Sequence, residues 1–190
     1  MKTLEQVNKI EAVVLYVLQN FKNGVDYIKL FKIIYFAQRD YLSTYGKVLC
    51  PDTFRARCFG PVPALSDKVI KLVEFQSEEV EDYPDLKQFV GSIKVENQLV
   101  YAQKKPNLDY LPKMERVCLD KWYEYCKDKD SVKELSPESH DRAYKKACRR
   151  SKKDPQLSIL TCMEIAEAGG ASPKMLEYIR SKELITAEFA

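Results

Sequence analysis

The segment "DYIKLFKIIYFAQRDYLSTYG", residues 26–46, carries apolar side chains around more than half of a helix circumference. They recur at helical spacing as Ile28, Phe31, Ile34, Tyr35, Tyr41, Leu42 and Tyr45. A helix that is apolar on most sides packs against several neighbours. Gly46 follows, and glycine readily takes the left-handed conformation that ends a helix. The segment therefore predicts a central helix over residues 26–45.

The same spacing predicts further helices on both sides of this segment. They cover residues 4–21, 63–73, 113–127, 157–168 and 173–182, and another is expected to start at Ser136-Pro137. Alternating side chains predict a strand over residues 53–58 and a hairpin over residues 93–101. We expect residues 53–59 and 93–102 to share one sheet. The predicted fold class is mainly α (α+β), a multi-helix domain with a small antiparallel β-sheet.

A stiff corner, Gly60-Pro61-Val62-Pro63, follows the predicted strand. Neither proline has an N–H group, so we expect the strand ladder to end there. Val62 precedes a proline and is held extended, while Pro63 suits the first turn of the next helix. Gly60 lies where a β-carbon would disturb the backbone conformation or a close approach. Beyond the helix, the acidic stretch 74–85 is expected to be mostly a solvated loop.

Size and charge indicate an ordinary globular protein. The 190 residues suggest one domain, or one domain with an appendage. A net charge of +3 does not by itself indicate a nucleic-acid or membrane partner. No apolar run approaches the ~20 residues that span a bilayer, and the first residues do not form an apolar signal region. We therefore expect a cytoplasmic protein with no membrane partner.

The residues that commonly carry catalysis are sparse. His140 is the single histidine, and the chain has neither Gly-x-Ser-x-Gly nor a phosphate-binding glycine loop. A cysteine nucleophile paired with His140 is an alternative, but no cysteine has a recognisable activating context. The six cysteines form no Cys-x-x-Cys and are interpreted as small core residues. We expect no enzymatic activity, no cofactor and no metal site.

Three sets of polar residues could face a partner. Arg55 and Arg57, two apart on the strand, predict a small exposed cationic ridge beside Phe59. His140 is expected just inside a helix N-terminus, where its ring would bond the backbone or Ser139; facing a partner is the alternative. A basic patch could contact phosphates, although an exposed helix face or an acidic protein partner is favoured. The patch comprises Lys145, Lys146, Arg149, Arg150, Lys152 and Lys153.

Three segments resemble one known family. Lys29 to Ala37 with the residues up to Gly46 is similar to the helix of Panacea domains, the SocA-like antitoxins, which include phage-associated proteins. Phe54 to Pro63 resembles the family's strand leading into "YGPVP", with Phe59 in place of tyrosine. Ser139-His140 with Tyr144 resembles its Ser/Thr-His segment. The motif residues are Lys29, Lys32, Tyr35, Phe36, Gly60, Pro61, Val62 and Pro63.

The resemblance covers about residues 10–150, so we place a Panacea-like domain at 1–154 and a C-terminal helical extension, packed on it, at 155–190. It implies a non-enzymatic antitoxin of a toxin–antitoxin system that neutralises a cognate protein toxin by direct binding. One branch of the family acts as an adaptor that delivers a toxin to a protease such as ClpXP. The candidate partner-binding residues are Arg55, Arg57, Phe59 and His140. The alternative function is a phage- or mobile-element-associated nucleic-acid-binding regulator, with nucleic acid the less favoured partner.

Overall fold

The computed structural model describes residues 2–188, apart from the side chains of residues 78, 80 and 186–188. Its helices are α1 (Leu4–Leu18), α2 (Tyr27–Tyr45), α3 (Ala64–Glu74), α4 (Lys87–Val90), α5 (Lys113–Cys126), α6 (Ser136–Ser139), α7 (Arg142–Ser151), α8 (Cys162–Ala168) and α9 (Pro173–Glu188). Its strands are β1 (Val25–Asp26), β2 (Phe54–Arg57), β3 (Gly60–Pro63), β4 (Ile93–Glu96) and β5 (Leu99–Ala102). The predicted class, mainly α with a small antiparallel sheet component, is confirmed.

Helix α2 lies at the centre, as its sequence predicts. Ile34 and Phe36 are fully buried, and α1, α5 and α8 pack against the helix from different sides. Asp26 caps its first turn by accepting a hydrogen bond from the Lys29 amide at 2.9 Å. Gly46 ends it with a left-handed φ of 62°. Most of the core is therefore organised around one helix.

The expectation of a single sheet is wrong, because the strands form two separate antiparallel sheets. One contains β2 and β3, and the other has the order β1-β5-β4. The second edge of β5 is occupied by β1, the two residues that lead into α2. The second edge of β2 is approached by Ile159, which bridges to Arg55. The strands that were expected to pair, β2 with β4 or β5, therefore have other neighbours.

The corner 60–63 is itself a strand, so the expected end of the ladder at Gly60 is wrong. Pro61 pairs with Ala56 and Pro63 with Phe54. In an antiparallel pair only alternate residues exchange N–H···O bonds with the partner strand. The amide of Ala64 donates to the Thr53 carbonyl at 2.9 Å, which places both prolines at the positions that exchange none. The two prolines therefore remove no hydrogen bond from the β2–β3 ladder.

Asp52 fixes the start of α3 from outside the helix. Its carboxylate accepts hydrogen bonds from the amides of Leu65 and Ser66, both at 2.9 Å, and from the Ser66 hydroxyl at 2.8 Å. These amides are donors that the first turn of a helix leaves unpaired. Pro63 precedes α3 as its N-cap residue rather than lying in the first turn. The path from β3 into α3 is thus held by the loop before β2.

The hairpin and the acidic stretch differ in how far the sequence predicted them. Strands β4 and β5 pair as expected, and Asn97 and Gln98 turn between them with φ of 50° and 64°. Two positive φ values are those of the type I′ turn that suits a two-residue hairpin. The expected loop over residues 74–85 instead contains two 3₁₀ turns, Glu78–Asp82 and Pro84–Leu86.

The C-terminal third consists of helical elements, several of which contact α2. A π-turn over Ser131–Leu135 runs directly into α6, so Ser136 lies inside a helical stretch instead of capping it. Residues Pro155–Ser158 form a 3₁₀ turn, and α8 begins only at Cys162, after its capping residue Thr161. The predicted helix over 157–168 therefore starts too early. Helix α8 packs against α2 and α7.

All six thiols are free; Cys50, Cys118 and Cys126 are buried, while Cys58 is exposed. The interpretation as core residues therefore holds for these three buried cysteines. Within residues 2–188, no helix combines the length and the apolar character that crossing a membrane requires.

Candidate partner-binding surface

The site is built on a buried lysine in the second turn of α2. Lys32 is only 1% exposed, and its Nζ donates a hydrogen bond to the carbonyl of Pro61 at 3.1 Å. Burial disfavours the charged ammonium and lowers the pKa of Lys32 to about 7. The contact fastens the strand β3 to the central helix. It also places the amine directly beneath the corner.

Gly60 is required where β2 turns into β3. Its φ of +103° lies in the region that side chains rarely adopt. A β-carbon there would lie 2.8 Å from the Nζ of Lys32 and closer still to the Oγ of Ser139. Both reasons that the sequence offered for glycine, conformation and close approach, therefore apply. The absence of a side chain lets β3, α2 and α6 meet.

The predicted arginine ridge is divided. Arg55 is half-buried, and its guanidinium lies 3.3 Å from the Ser158 hydroxyl and 3.4 Å from the Gln156 carbonyl. Arg57 is exposed at the end of β2, and the neighbouring Phe59 is 49% exposed. Arg55 therefore contacts the C-terminal part of the chain, while Arg57 and Phe59 remain available to a partner.

His140 does not lie inside a helix N-terminus, as the sequence suggested. It follows the end of α6 and directly precedes Asp141, the capping residue of α7. Its ring stacks on Tyr144 with centroids 4.2 Å apart and planes 7° apart. Its buried Nε2 has no hydrogen-bond partner in the described part of the chain, and Ser139 donates instead to the Ser136 carbonyl. Burial, together with the charges of Lys32 and Lys145, lowers the pKa of His140.

Tyr144 links this stacked pair to the turn between β2 and β3. Its hydroxyl donates to the carbonyl of Arg57 at 2.9 Å. Burial is the main reason that the pKa of Tyr144 is raised. His140 therefore lies behind the turn that presents Arg57 and Phe59. Through Tyr144, its ring is connected to the backbone that carries these two residues.

A carboxylate that the sequence did not single out joins α2 to α7. Asp141 Oδ2 accepts hydrogen bonds from the Tyr35 hydroxyl at 2.8 Å and from the Arg39 guanidinium at 2.9 Å. Its Oδ1 accepts from the Tyr144 amide and so caps α7. Burial, followed by the charge of Asp141, raises the pKa of Tyr35 well above its usual range. This network fixes the position of His140 and Tyr144 relative to the central helix.

The remaining motif residues of α2 are structural. Lys29 Nζ donates to the Lys127 carbonyl at 2.9 Å and so ties α2 to the end of α5. Phe36 is fully buried and its ring packs on Trp122, with centroids 5.1 Å apart. These contacts hold α5 against the side of α2.

A cavity of about 720 Å³ opens between α2, the β2–β3 turn and α3. Tyr27, Phe31, Val62 and Ile70 contribute apolar wall. Its charged and aromatic lining residues are Lys32, Arg57, Phe59, Asp67, Lys71, Glu74 and Phe75. The sequence did not predict this cavity, because its walls come from segments that only the tertiary fold brings together: α2, the β2–β3 turn, α3 and Gln98 of the β4–β5 turn.

The basic patch is not a uniform positive surface. Lys146 pairs with Glu167 at 2.6 Å, and Arg150 pairs with Glu164. Both carboxylates belong to α8, so these two cations hold α7 and α8 together. Such pairing does not favour a nucleic-acid interface, whose binding depends on cations that neutralise phosphates.

Comparison with known families identifies the class. Residues 30–144, more than half of the chain, match the family described as "Antitoxin SocA-like, Panacea domain", and the protein belongs to this family. The match covers most of α2, the corner and the His140–Tyr144 segment, which together form the site described above. Membership indicates an antitoxin-type role. No curated protein and no solved structure gives a significant match.

Proposed function

We propose that this protein is a non-enzymatic antitoxin that neutralises a cognate protein toxin by direct binding. The family supports the antitoxin role, and one structural observation supports direct contact. Arg57 and Phe59 are exposed on a turn that is held by hydrogen bonds from the buried Lys32 and the half-buried Tyr144 and by the close packing of Gly60. An exposed aromatic ring beside an arginine is the usual composition of an energetic hot spot in protein interfaces.

Rigidity of this turn favours binding. A loop that must be ordered on association loses conformational entropy, which reduces the affinity that its contacts can provide. Here the strand ladder between β2 and β3 and the hydrogen bonds of Lys32 and Tyr144 order the turn before any partner arrives. We infer that Arg57 and Phe59 are presented in the conformation that the toxin meets.

The test is co-expression with the product of each adjacent gene. A toxic neighbour should be neutralised by the wild-type protein and should co-purify with it. The double variant Arg57→Glu, Phe59→Ala should lose rescue while retaining a normal thermal midpoint. Arg149→Glu makes the same charge reversal at an exposed position on α7 that does not line the cavity, and it should rescue normally.

The outcomes separate the function from the location of its interface. If no adjacent product is toxic and none co-purifies, the antitoxin function is refuted. If the double variant still rescues, the function stands and the interface lies elsewhere. Toxin levels that fall on co-expression, and recover in cells lacking the responsible protease, would identify delivery to a protease instead of simple neutralisation.

A further inference from the structure

Lys32 is a buried amine with few hydrogen-bond partners. An ammonium group can donate three hydrogen bonds, and the Lys32 Nζ makes one, to the Pro61 carbonyl. Among the described residues no carboxylate forms an ion pair with it. Buried charges are expensive unless they are paired. Lys32 instead has a lowered pKa, and a negatively charged group placed beside it would stabilise its charged form.

The cavity gives such a group a route to Lys32. Lys32 lines its wall together with apolar residues of α2, β3 and α3, so a carboxylate that enters the cavity would approach the Lys32 side chain in surroundings that strengthen the attraction. The acidic residues on the same wall are Asp67, which pairs with Lys71 at 2.6 Å, and Glu74. Neither forms an ion pair with Lys32.

The opening of the cavity has the composition of a protein-binding surface. Phe59 and Phe75 both line the cavity, yet they are 49% and 72% exposed and so lie at its mouth. A small ligand inside the cavity would leave much of both rings in water. A protein segment could cover the two rings and send one side chain inward. Arg57, also at the mouth, adds a second positive charge.

We propose that the cavity is the docking site for an acidic side chain of the toxin, whose carboxylate pairs with Lys32 while flanking apolar residues cover Phe59 and Phe75. Since the partner is the toxin, this role of Lys32 rests on the proposed function. This role specifies the chemistry of the toxin segment that is recognised: an aspartate or glutamate next to apolar residues.

Pairing with a carboxylate would make toxin binding depend on pH. Burial holds the pKa of Lys32 at about 7 in the free protein, and a neighbouring carboxylate raises the pKa of a lysine. Binding would then require proton uptake above pH 7, so affinity should fall as the pH rises, by up to about tenfold per pH unit. The other charged groups facing this region are Arg57, Asp67, Lys71, Glu74 and His140.

The experiment compares three forms of the full chain with the toxin identified by rescue. Wild type, Lys32→Met and Lys71→Met are titrated by calorimetry between about pH 6 and about pH 9. Lys71→Met removes the same charge from the same cavity wall, but its amine is exposed and already paired with Asp67. Groups that titrate on the toxin affect the binding of all three forms equally. The difference in pH dependence between wild type and Lys32→Met therefore reports the contribution of Lys32 alone.

The expected result is a loss of about 10–100-fold in affinity for Lys32→Met at pH 6, shrinking as the pH rises. Lys71→Met should keep the wild-type pH dependence. In parallel, each acidic residue of the toxin is changed to its amide, and the affinity of each toxin variant for the wild-type protein is measured. One such change should weaken binding in the wild type and have little further effect in Lys32→Met. The measurements with the wild-type protein do not depend on the folding of any antitoxin variant.

Three results would overturn the docking role. Equal affinity of wild type and Lys32→Met at every pH would show that the toxin does not use Lys32, while rescue would still support the antitoxin function. Absence of any sensitive acidic residue on the toxin would lead to the same conclusion. Hexanoate serves as a small apolar carboxylate probe of the cavity. If it binds the purified protein through Lys32 without weakening toxin binding, the cavity is a small-molecule site. Absence of a toxic partner would instead refute the proposed function itself.

Discussion

Replacing Gly60 with alanine tests how the corner is built. The new side chain must adopt a φ of +103°, which costs about 1–3 kcal/mol for a residue other than glycine. Its β-carbon would also overlap Ser139 Oγ, whose hydrogen bond to the Ser136 carbonyl is 2.7 Å long. Displacing that hydroxyl breaks the hydrogen bond and lowers the free energy of unfolding by about 0.5–1.5 kcal/mol. We expect Gly60→Ala to lower the free energy of unfolding by about 2–4 kcal/mol.

Urea unfolding measures this loss as a lower midpoint with an unchanged m-value. For a chain of this size, the thermal midpoint should fall by roughly 5–15 °C. Gly170→Ala is a matched control, because Gly170 also has a positive φ, +84°, but an added β-carbon would have no neighbour within 4 Å. It should show the backbone strain alone. An unchanged midpoint for Gly60→Ala would refute the close approach of β3, α2 and α6. Equal losses in the two variants would show that crowding contributes nothing.

Three further substitutions test the framework around the site. The pKa of Lys32 is about 7 in the native state and about 10.4 in the unfolded state. Because the unfolded state binds the additional proton between these two values, the free energy of unfolding should rise by roughly 2–4 kcal/mol as the pH increases from about 7 to about 10.4. Urea midpoints should show this rise in wild type and its loss in Lys32→Met. Asp141→Asn weakens the bonds from Tyr35 and Arg39 and should cost about 2–4 kcal/mol; a normal urea midpoint would contradict the network. Phe36→Ala should cost about 3–5 kcal/mol because Phe36 is fully buried, and a midpoint within error of wild type would contradict its place in the core.

The sequence predicted those parts of the fold that local patterns encode. The apolar circumference of residues 26–45 and the glycine after it define α2 without any knowledge of its neighbours. The hairpin of β4 and β5 is equally local, since Asn97 and Gln98 tolerate the positive φ values of a tight turn. In these cases the physical cause of the structure lies within one short segment.

Errors arose where distant segments decide the outcome. The strand Gly60–Pro63 exists because its register with β2 places both prolines at positions that need no N–H group, and this cannot be deduced from the prolines alone. The position of His140 depends on Asp141, which is held by side chains of α2 more than 100 residues earlier in the chain. Likewise, the cavity arises only when α2, the β2–β3 turn and α3 come together. Among its lining residues, the sequence singled out Arg57 and Phe59 as partner-facing and Lys32 and Val62 as motif residues, but not that they share one cavity.

Inhibition of the purified toxin by the purified protein alone tests the central claim most directly. If neutralisation is direct and non-enzymatic, toxin activity should fall in proportion to the antitoxin added and vanish near equal molar amounts, with no protease or nucleotide present. The Arg57→Glu, Phe59→Ala variant should then require at least about tenfold more protein for the same inhibition. Full inhibition by a small fraction of an equivalent would show that the protein acts catalytically. No inhibition at excess would show that neutralisation needs a further component, and either result would contradict the account.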